Sequence, residues 1–255
     1  MLFPRFWLKS KIKLPLYPLV LYPMSVLWIA LGIIYQLRTI IIRPYKSSVP
    51  VICVGNITLG GNGKTPTAIK VRSILKELGY NPHIISRGYK AKFKGPHLVN
   101  PKKDSHVEVG DEALMTSVYG PTWISRNRRL VIKKAIAAGA NIIILDDGFQ
   151  NFSIKKDFCI LVIEASIGFG NGYVIPAGPL REKVENGLKR ANFIITIGES
   201  LAQTSFEKSN QLTTNLPAIK GRLVPSLTDT KFKDKAIIAF AGIAHPKKFK
   251  TTLET

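Results

Sequence analysis

Residues 51 to 70 read "VICVGNITLGGNGKTPTAIK". Gly60, Gly61 and Gly63 allow tight turns and let backbone N–H groups approach a phosphate closely. Lys64 is placed to reach β and γ phosphates, and Thr65 to offer its hydroxyl to Mg²⁺. A helix that opens there turns its positive end toward the anion, and Pro66 suits a first helical turn. The phosphate-loop pattern G-x-x-x-x-G-K-[ST] is incomplete, because Thr58 stands at its first glycine. An apolar strand before the loop and a helix after it supply the context the mechanism needs, against the alternative of a chance glycine-rich turn. Thr58, Leu59, Gly60, Gly61, Asn62, Gly63, Lys64, Thr65 and Pro66 are therefore the expected nucleotide-binding stretch. Leu59 stands where dimeric partitioning ATPases carry a lysine, which argues against that class.

Further motifs lie downstream. "NIIILDDGFQ" ends an apolar strand in Asp146 and Asp147, the Walker B arrangement, and would bring a carboxylate to the metal held by Thr65. The plain alternative is a turn built on Asp-Gly. "EVGDEALM" places Asp111 and Glu112 at a helix start. Asp111 would be a base for an acceptor hydroxyl with Glu112 near the metal, or both would simply cap the helix. Arg87 in "ISRGY" and Arg181 in "PAGPLRE" follow strand or loop elements, where guanidinium groups meet phosphate oxygens or stay solvated. His245 lies in "AIIAFAGIAHPKKF", beyond a strand and before Pro246. A lone histidine in such a turn is usually structural.

These residues need a frame. With 255 residues and 45% apolar content, the chain can build a full core. From residue 49 strand and helix signals alternate: strands at 49–55, 83–86, 122–124, 141–145, 158–164, 193–197 and 236–241, helices at 65–78, 111–118, 130–138 and 182–189. Alternation with apolar strands predicts a mostly parallel sheet flanked by helices, an α/β fold of the P-loop NTPase type. Residues 88–107 form a long basic loop with Gly and Pro. Cys53 and Cys159 sit in apolar runs and read as buried thiols.

Residues 14–37 carry no charge and are flanked by Arg5, Lys9, Lys11 and Lys13 before and Arg38, Arg43 and Lys46 after. A helix over 24–42, after Pro23, would reach the lower limit for crossing a bilayer, about 17–25 residues. It would otherwise lie in the interface or pack as a buried helix. The net charge is +21, and eleven Lys or Arg precede the first acidic residue, Glu77. Such a balance favours phosphorylated substrates, anionic membranes or nucleic acid, and the readout elements of a nucleic-acid binder are missing. The expected organisation is a membrane-associated segment over 1–45, a P-loop core over 46–200, and the start of a second lobe over 201–255.

The strings "VGNITLGGNGKTP", "ISRGY", "VGDEALM", "ILDDGFQ", "GNGYVIPAGPLRE" and "GIAHPKKF", in this order over about residues 45–250, resemble the tetraacyldisaccharide 4′-kinase family of Gram-negative bacteria. In that family the loop position of Thr58 looks the same. The resemblance implies ATP- and Mg²⁺-dependent phosphorylation of the 4′-hydroxyl of a lipid A disaccharide 1-phosphate, at the cytoplasmic face of the inner membrane. Its partners would be the lipid A precursor and the anionic membrane surface, with no nucleic acid and no obligate protein partner. It also implies that Lys64 and Thr65 bind ATP·Mg²⁺ and that Asp111 acts on the sugar hydroxyl with His245. Asp146, Asp147 and Glu112 would then serve the metal, while Gln150 and Arg181 line the site. Asn62 and Asn151 stand where the family more often has Thr and His. Family members continue for several tens of residues beyond the position of Thr255, so the second lobe is expected to be incomplete in this chain. The competing reading is a membrane-associated P-loop ATPase or GTPase switch acting through protein partners.

Overall fold

The computed structural model describes residues 4–8, 16–61, 63–209 and 215–224. Asn62, His245 and the strand expected at 236–241 lie outside them. A short 3-10 helix, Arg5–Leu8, precedes α1 (Leu16–Ile41). There follow β1 (Val51–Gly55), α2 (Lys64–Glu77), β2 (Pro82–Ser86), β3 (His97–Leu98), α3 (His106–Val109), α4 (Asp111–Ser117) and β4 (Thr122–Ile124). The remainder is α5 (Arg128–Ala137), β5 (Ile142–Asp146), β6 (Phe158–Glu164), α6 (Val184–Arg190), β7 (Phe193–Ile197), α7 (Ser200–Ser209) and β8 (Ala218–Gly221).

The strands form one sheet in the order β3-β4-β2-β5-β1-β6-β7-β8. All neighbours pair parallel except β3, which runs antiparallel to β4 at one edge. The central strands are buried on both faces because helices cover both. Side chains that alternate along β1 and β5 feed two separate cores. Val51, Cys53, Ile143 and Leu145 face α5, α6 and α7, whereas Val54 and Ile144 face α2. β1 lies between β5 and β6, so the chain leaves β1 toward one side of the sheet and crosses to the other after β5. Ligands bind at the carboxyl ends of the strands flanking such a reversal.

Three elements differ from expectation. α1 begins at Leu16 and runs through Pro23, where a start beyond that proline was expected. Pro23 removes one intrahelical hydrogen bond, a local loss that the long apolar helix on either side absorbs. The basic loop 88–107 is partly structured: β3 pairs with β4, and Ser105 caps α3 in a reciprocal capping box with Glu108. Past residue 200 the chain stays on the same sheet, since α7 packs Phe206 into the core and β8 pairs with β7. The polar composition there reflects an edge strand: Ala218, Ile219 and Lys220 are exposed. Gln203 is buried and donates to the carbonyls of Thr196 and Gly221.

Candidate active site

The loop after β1 gathers the first group. Thr58 pairs with Leu180 in an antiparallel bridge, and the Leu59 amide donates to the Pro179 carbonyl at 2.8 Å. The chain at 58–59 is therefore held like a strand by the segment 179–180. It needs no left-handed backbone at 58, which is why threonine serves where the general pattern has glycine. Gly60 and Gly63 do take positive φ, +98° and +75°, and Gly63 caps the start of α2. An added Cβ at Gly63 would come within 2.6 Å of Ile197. Pro66 falls in the first turn of α2, where its missing N–H has no helical acceptor in any case.

β5 and β1 are neighbours, and this register brings the second group to the first. Thr65 Oγ1 donates to Asp146 Oδ2 at 3.0 Å. Asp146 is 3% exposed, and its other oxygen, Oδ1, is buried without a partner. Burial raises its pKa to about 6, opposed by the Thr65 hydrogen bond. Asp147 adopts a left-handed φ of 51° and turns toward two cations. Lys64 Nζ lies 3.9 Å from its Oδ1, and Arg181 Nη1 donates to the same oxygen at 3.0 Å. Burial opposes the Asp147 anion, yet Lys64 and Arg181 outweigh burial and hold its pKa below the ordinary carboxylate range. Lys64 is lowered by its own burial, with Asp147 acting against that shift. Its Nζ also donates to the Gly60 carbonyl at 3.3 Å, so the ammonium is folded back over the loop.

Arg181 links a third group. Its Nη1 also donates to Gln150 Oε1 at 3.0 Å, and Gln150 Nε2 donates to the Asn56 carbonyl and to Glu182. Glu182 pairs in turn with Arg190. Asn56 and Glu182 were not anticipated from the sequence. Their signal was only adjacency, Asn56 to the strand end and Glu182 to Arg181.

Asp111 and Glu112 are the first two residues of α4 and both are exposed. The Glu112 charge acts on Lys64 and Asp146, though no hydrogen bond joins them among the described residues. Gly110 sets the entry to this helix with φ +88°, and a Cβ there would meet the Tyr89 carbonyl oxygen at 2.7 Å. Arg87 follows β2 on the same edge of the sheet and is exposed, with no hydrogen bond or ion pair to the cluster among the described residues.

The arrangement suits a triphosphate with a hard divalent ion. Lys64, the loop amides and the start of α2 supply positive charge; Thr65, Asp146 and Asp147 supply oxygen donors. Asp146 Oδ1, Arg181 Nε and both side-chain polar atoms of Asn56 are buried without partners. Orphans of this kind call for a ligand or water that completes them. Among the described residues no three His, Cys, Asp or Glu side chains converge as a metal cage. Mg²⁺ does not need one, because it keeps waters and shares phosphate oxygens.

An apolar cavity of about 490 Å³ adjoins this cluster. It runs between α1 (Trp28, Ile29, Gly32 and Tyr35) and Leu59, Gln150 and Arg181. α1 is tied down along one side. Ser25 Oγ donates to the Val174 carbonyl at 2.8 Å and accepts from the Ala177 amide, and Trp28 Nε1 donates to the Arg181 carbonyl. Trp7 Nε1 donates to the Pro176 carbonyl, so the glycine- and proline-rich stretch 168–180 is the cradle of the amino-terminal segment.

The family model described as "LpxK: Tetraacyldisaccharide-1-P 4′-kinase" matches residues 17–255. The chain belongs to this family. A relative named tetraacyldisaccharide 4′-kinase from Dinoroseobacter shibae is 46% identical over 88% of this chain and 68% of its own length. One of the same name from Rhodospirillum centenum is 41% identical over 98% of this chain and 73% of its own. A crystal structure of LpxK from Aquifex aeolicus in complex with ATP superposes with a TM-score of 0.76 at 26% identity. It covers 93% of this chain and 78% of that one. The α/β fold described above is shared with that structure.

Proposed function

We propose that this chain transfers the γ-phosphoryl group of ATP to the 4′-hydroxyl of a tetraacyldisaccharide 1-phosphate at the cytoplasmic face of the bacterial inner membrane. The observation that carries the reading is the place of Leu59. This residue of the phosphate loop also lines the apolar cavity closed by α1. One loop thus faces a charged cleft on one side and a lipid-compatible groove on the other. A switch protein working through protein partners has no use for that contiguity.

Phosphoryl transfer asks mainly for positioning and charge neutralisation. Lys64 and the amides of Gly60, Gly61 and Gly63 would hold the phosphates, and Thr65 with Asp146 and Asp147 would hold Mg²⁺. Bound there, the ion neutralises phosphate charge that Lys64 alone does not balance. Arg181 is fixed by Asp147 and Gln150 and would meet phosphate oxygens at the mouth of the groove, with Arg87 beyond it. Asp111 would accept the proton of the sugar hydroxyl, paired with His245, and Glu112 would add negative charge on the metal side.

The membrane reading rests on α1. Pro18–Leu37 has a mean hydropathy of 1.8 and is 11% buried. Contacts to the rest of the protein run from Tyr22, against Tyr173, to Tyr35, against Phe152. That is about 20 Å of helix, whereas a crossing helix needs about 30 Å of hydrocarbon around it. A helix so tied to a polar domain fits an interfacial position, with Leu19, Leu27 and Ile34 toward the lipid.

The test is transfer from labelled ATP to the lipid acceptor by the parent and by Asp111→Ala. The variant should lose about 10²–10⁴-fold in rate while retaining nucleotide. ATP hydrolysis indifferent to lipid, or an unimpaired variant, would overturn the proposal.

A further inference from the structure

Arg190 is the last residue of α6 and forms no hydrogen bond or ion pair with Lys64, Thr65, Asp146 or Asp147 among the described residues. Cations often end helices, where they meet the last carbonyls. Arg190 does so through Nε, which donates to the Asn186 carbonyl at 3.1 Å. The rest of its guanidinium is turned to other partners. Its Cζ lies 4.9 Å from the ring centroid of Phe149 and 4.9 Å from that of Phe152, so the planar group is held against two aromatic faces. Both rings are themselves fixed. Phe149 is 2% exposed and pressed on β1, since a Cβ added at Gly55 would lie 2.6 Å from the Phe149 Cβ. Phe152 is backed edge-on by Tyr35 of α1, with 6.0 Å between centroids.

Nη2 of Arg190 pairs with Glu182 Oε2, and Glu182 Oε1 accepts from Gln150 Nε2 at 3.0 Å. An ion pair between two free side chains is weak, because both must be ordered to form it. Here the rings have already ordered one member. Glu182 then decides how Gln150 lies. A primary amide carries two N–H donors and one carbonyl. Both donors of Gln150 are taken, by the Asn56 carbonyl at 2.7 Å and by Glu182. Its Oε1 is thereby turned to Arg181 and accepts from Nη1 at 3.0 Å. Arg181 Nη1 is shared between that oxygen and Asp147 Oδ1. With Gln150 released, the guanidinium could swing about Asp147, and its buried, unpaired Nε would lose its aim. Phe149 and Gln150 are neighbours in the chain, so Arg190 reaches Gln150 by two routes, through the ring and through the carboxylate.

We propose that Arg190 is a positioning residue for phosphoryl transfer, which through Glu182 and Gln150 holds the Arg181 guanidinium beside Asp147 at the phosphate cleft. The effect on rate rests on the kinase reading; the hold on Gln150 and Arg181 does not.

The experiment uses two variants of the full chain. Arg190→Met keeps a long side chain against the rings and drops the charge, while Arg190→Lys keeps the charge without the planar fork. Melting temperature and ATP retention verify the fold. In transfer from labelled ATP to the lipid acceptor, Arg190→Met should lower kcat about tenfold, the effect of weakening one charge-assisted hydrogen bond, and leave both KM values within about twofold. Arg190→Lys should fall between that variant and the parent. The double variant Gln150→Ala, Arg190→Met should be no slower than Gln150→Ala alone, because a residue acting through Gln150 then has nothing to position. A merely structural arginine would multiply the two losses. The second arm needs no turnover. Nuclear magnetic relaxation is measured on the Gln150 side-chain amide, assigned by its disappearance in Gln150→Ala. Its order parameter should fall from the rigid range to below about 0.6 in Arg190→Met. An unchanged order parameter, an unchanged kcat or multiplied losses would each overturn the inference. A parent chain that phosphorylates no lipid overturns the kinase reading alone, and the relaxation arm then decides by itself whether Arg190 holds Gln150.

Discussion

Thr58→Gly would restore the general phosphate-loop pattern, and it should harm the protein. Thr58 is 3% exposed and forms the bridge to Leu180. Its backbone is not left-handed, so glycine relieves no strain there. Removing the side chain takes two buried carbons, about 0.8 kcal/mol each. Glycine in an extended position adds about 0.5–1 kcal/mol of backbone entropy. The sum is about 2 kcal/mol, which for a domain of this size lowers the melting temperature by about 4–8 °C. ATP affinity should fall as well, because the bridge to 179–180 holds the amides that face the phosphates. Thermal unfolding with and without ATP, beside a titration of ATP binding, measures both. Thr58→Val keeps the branched shape and should recover the part of the thermal loss that comes from the buried carbons and the backbone entropy. A Thr58→Gly protein that melts at or above the parent and binds ATP as tightly would refute the strand-like account of the loop.

Other perturbations reach neighbouring parts of the site. Ser25→Ala removes the hydroxyl that binds Val174 and Ala177, leaving the buried Ala177 amide unpaired at a cost of about 1–3 kcal/mol. Hydrogen exchange should show the Ala177 amide losing protection while the amides of β1 and β5 keep theirs. Gly110→Ala forces a Cβ against the Tyr89 carbonyl and a positive φ on alanine. It should shift the start of α4, lowering kcat at least tenfold if about 1.4 kcal/mol of positioning is lost, with ATP affinity little changed. An unaltered kcat would mean that the position of Asp111 is immaterial.

The central sheet was legible because each strand is an apolar run between turn signals. Phe158–Glu164 and Phe193–Ile197 fall at the expected residues. The ends of β1, β2 and β5 shift by one or two positions, where turns rather than hydrophobicity decide them. The edge of the sheet was harder to read. No strand was expected at β8 because an edge strand exposes its side chains, nor at β3, which is two residues long. Pro23 looked like a helix boundary because local propensity cannot register the packing of Ser25, Trp28 and Ile29 against the core.

The sequence by itself determined the phosphate loop, the acidic strand end and the basic, apolar character of the amino terminus. Each depends on residues adjacent in the chain. Tertiary structure decided what those pieces face. The strand order places Asp146 beside Thr65 across 81 residues. The return of 179–181 along 57–59 makes Thr58 acceptable and sets Leu59 against α1. The approach of 42–45 to the start of α5 sets Arg43 beside Arg126 and Arg129, which lie far from it in the chain. Such gatherings arise from pairing between distant segments, and a local reading of one strand or one loop carries no information about them.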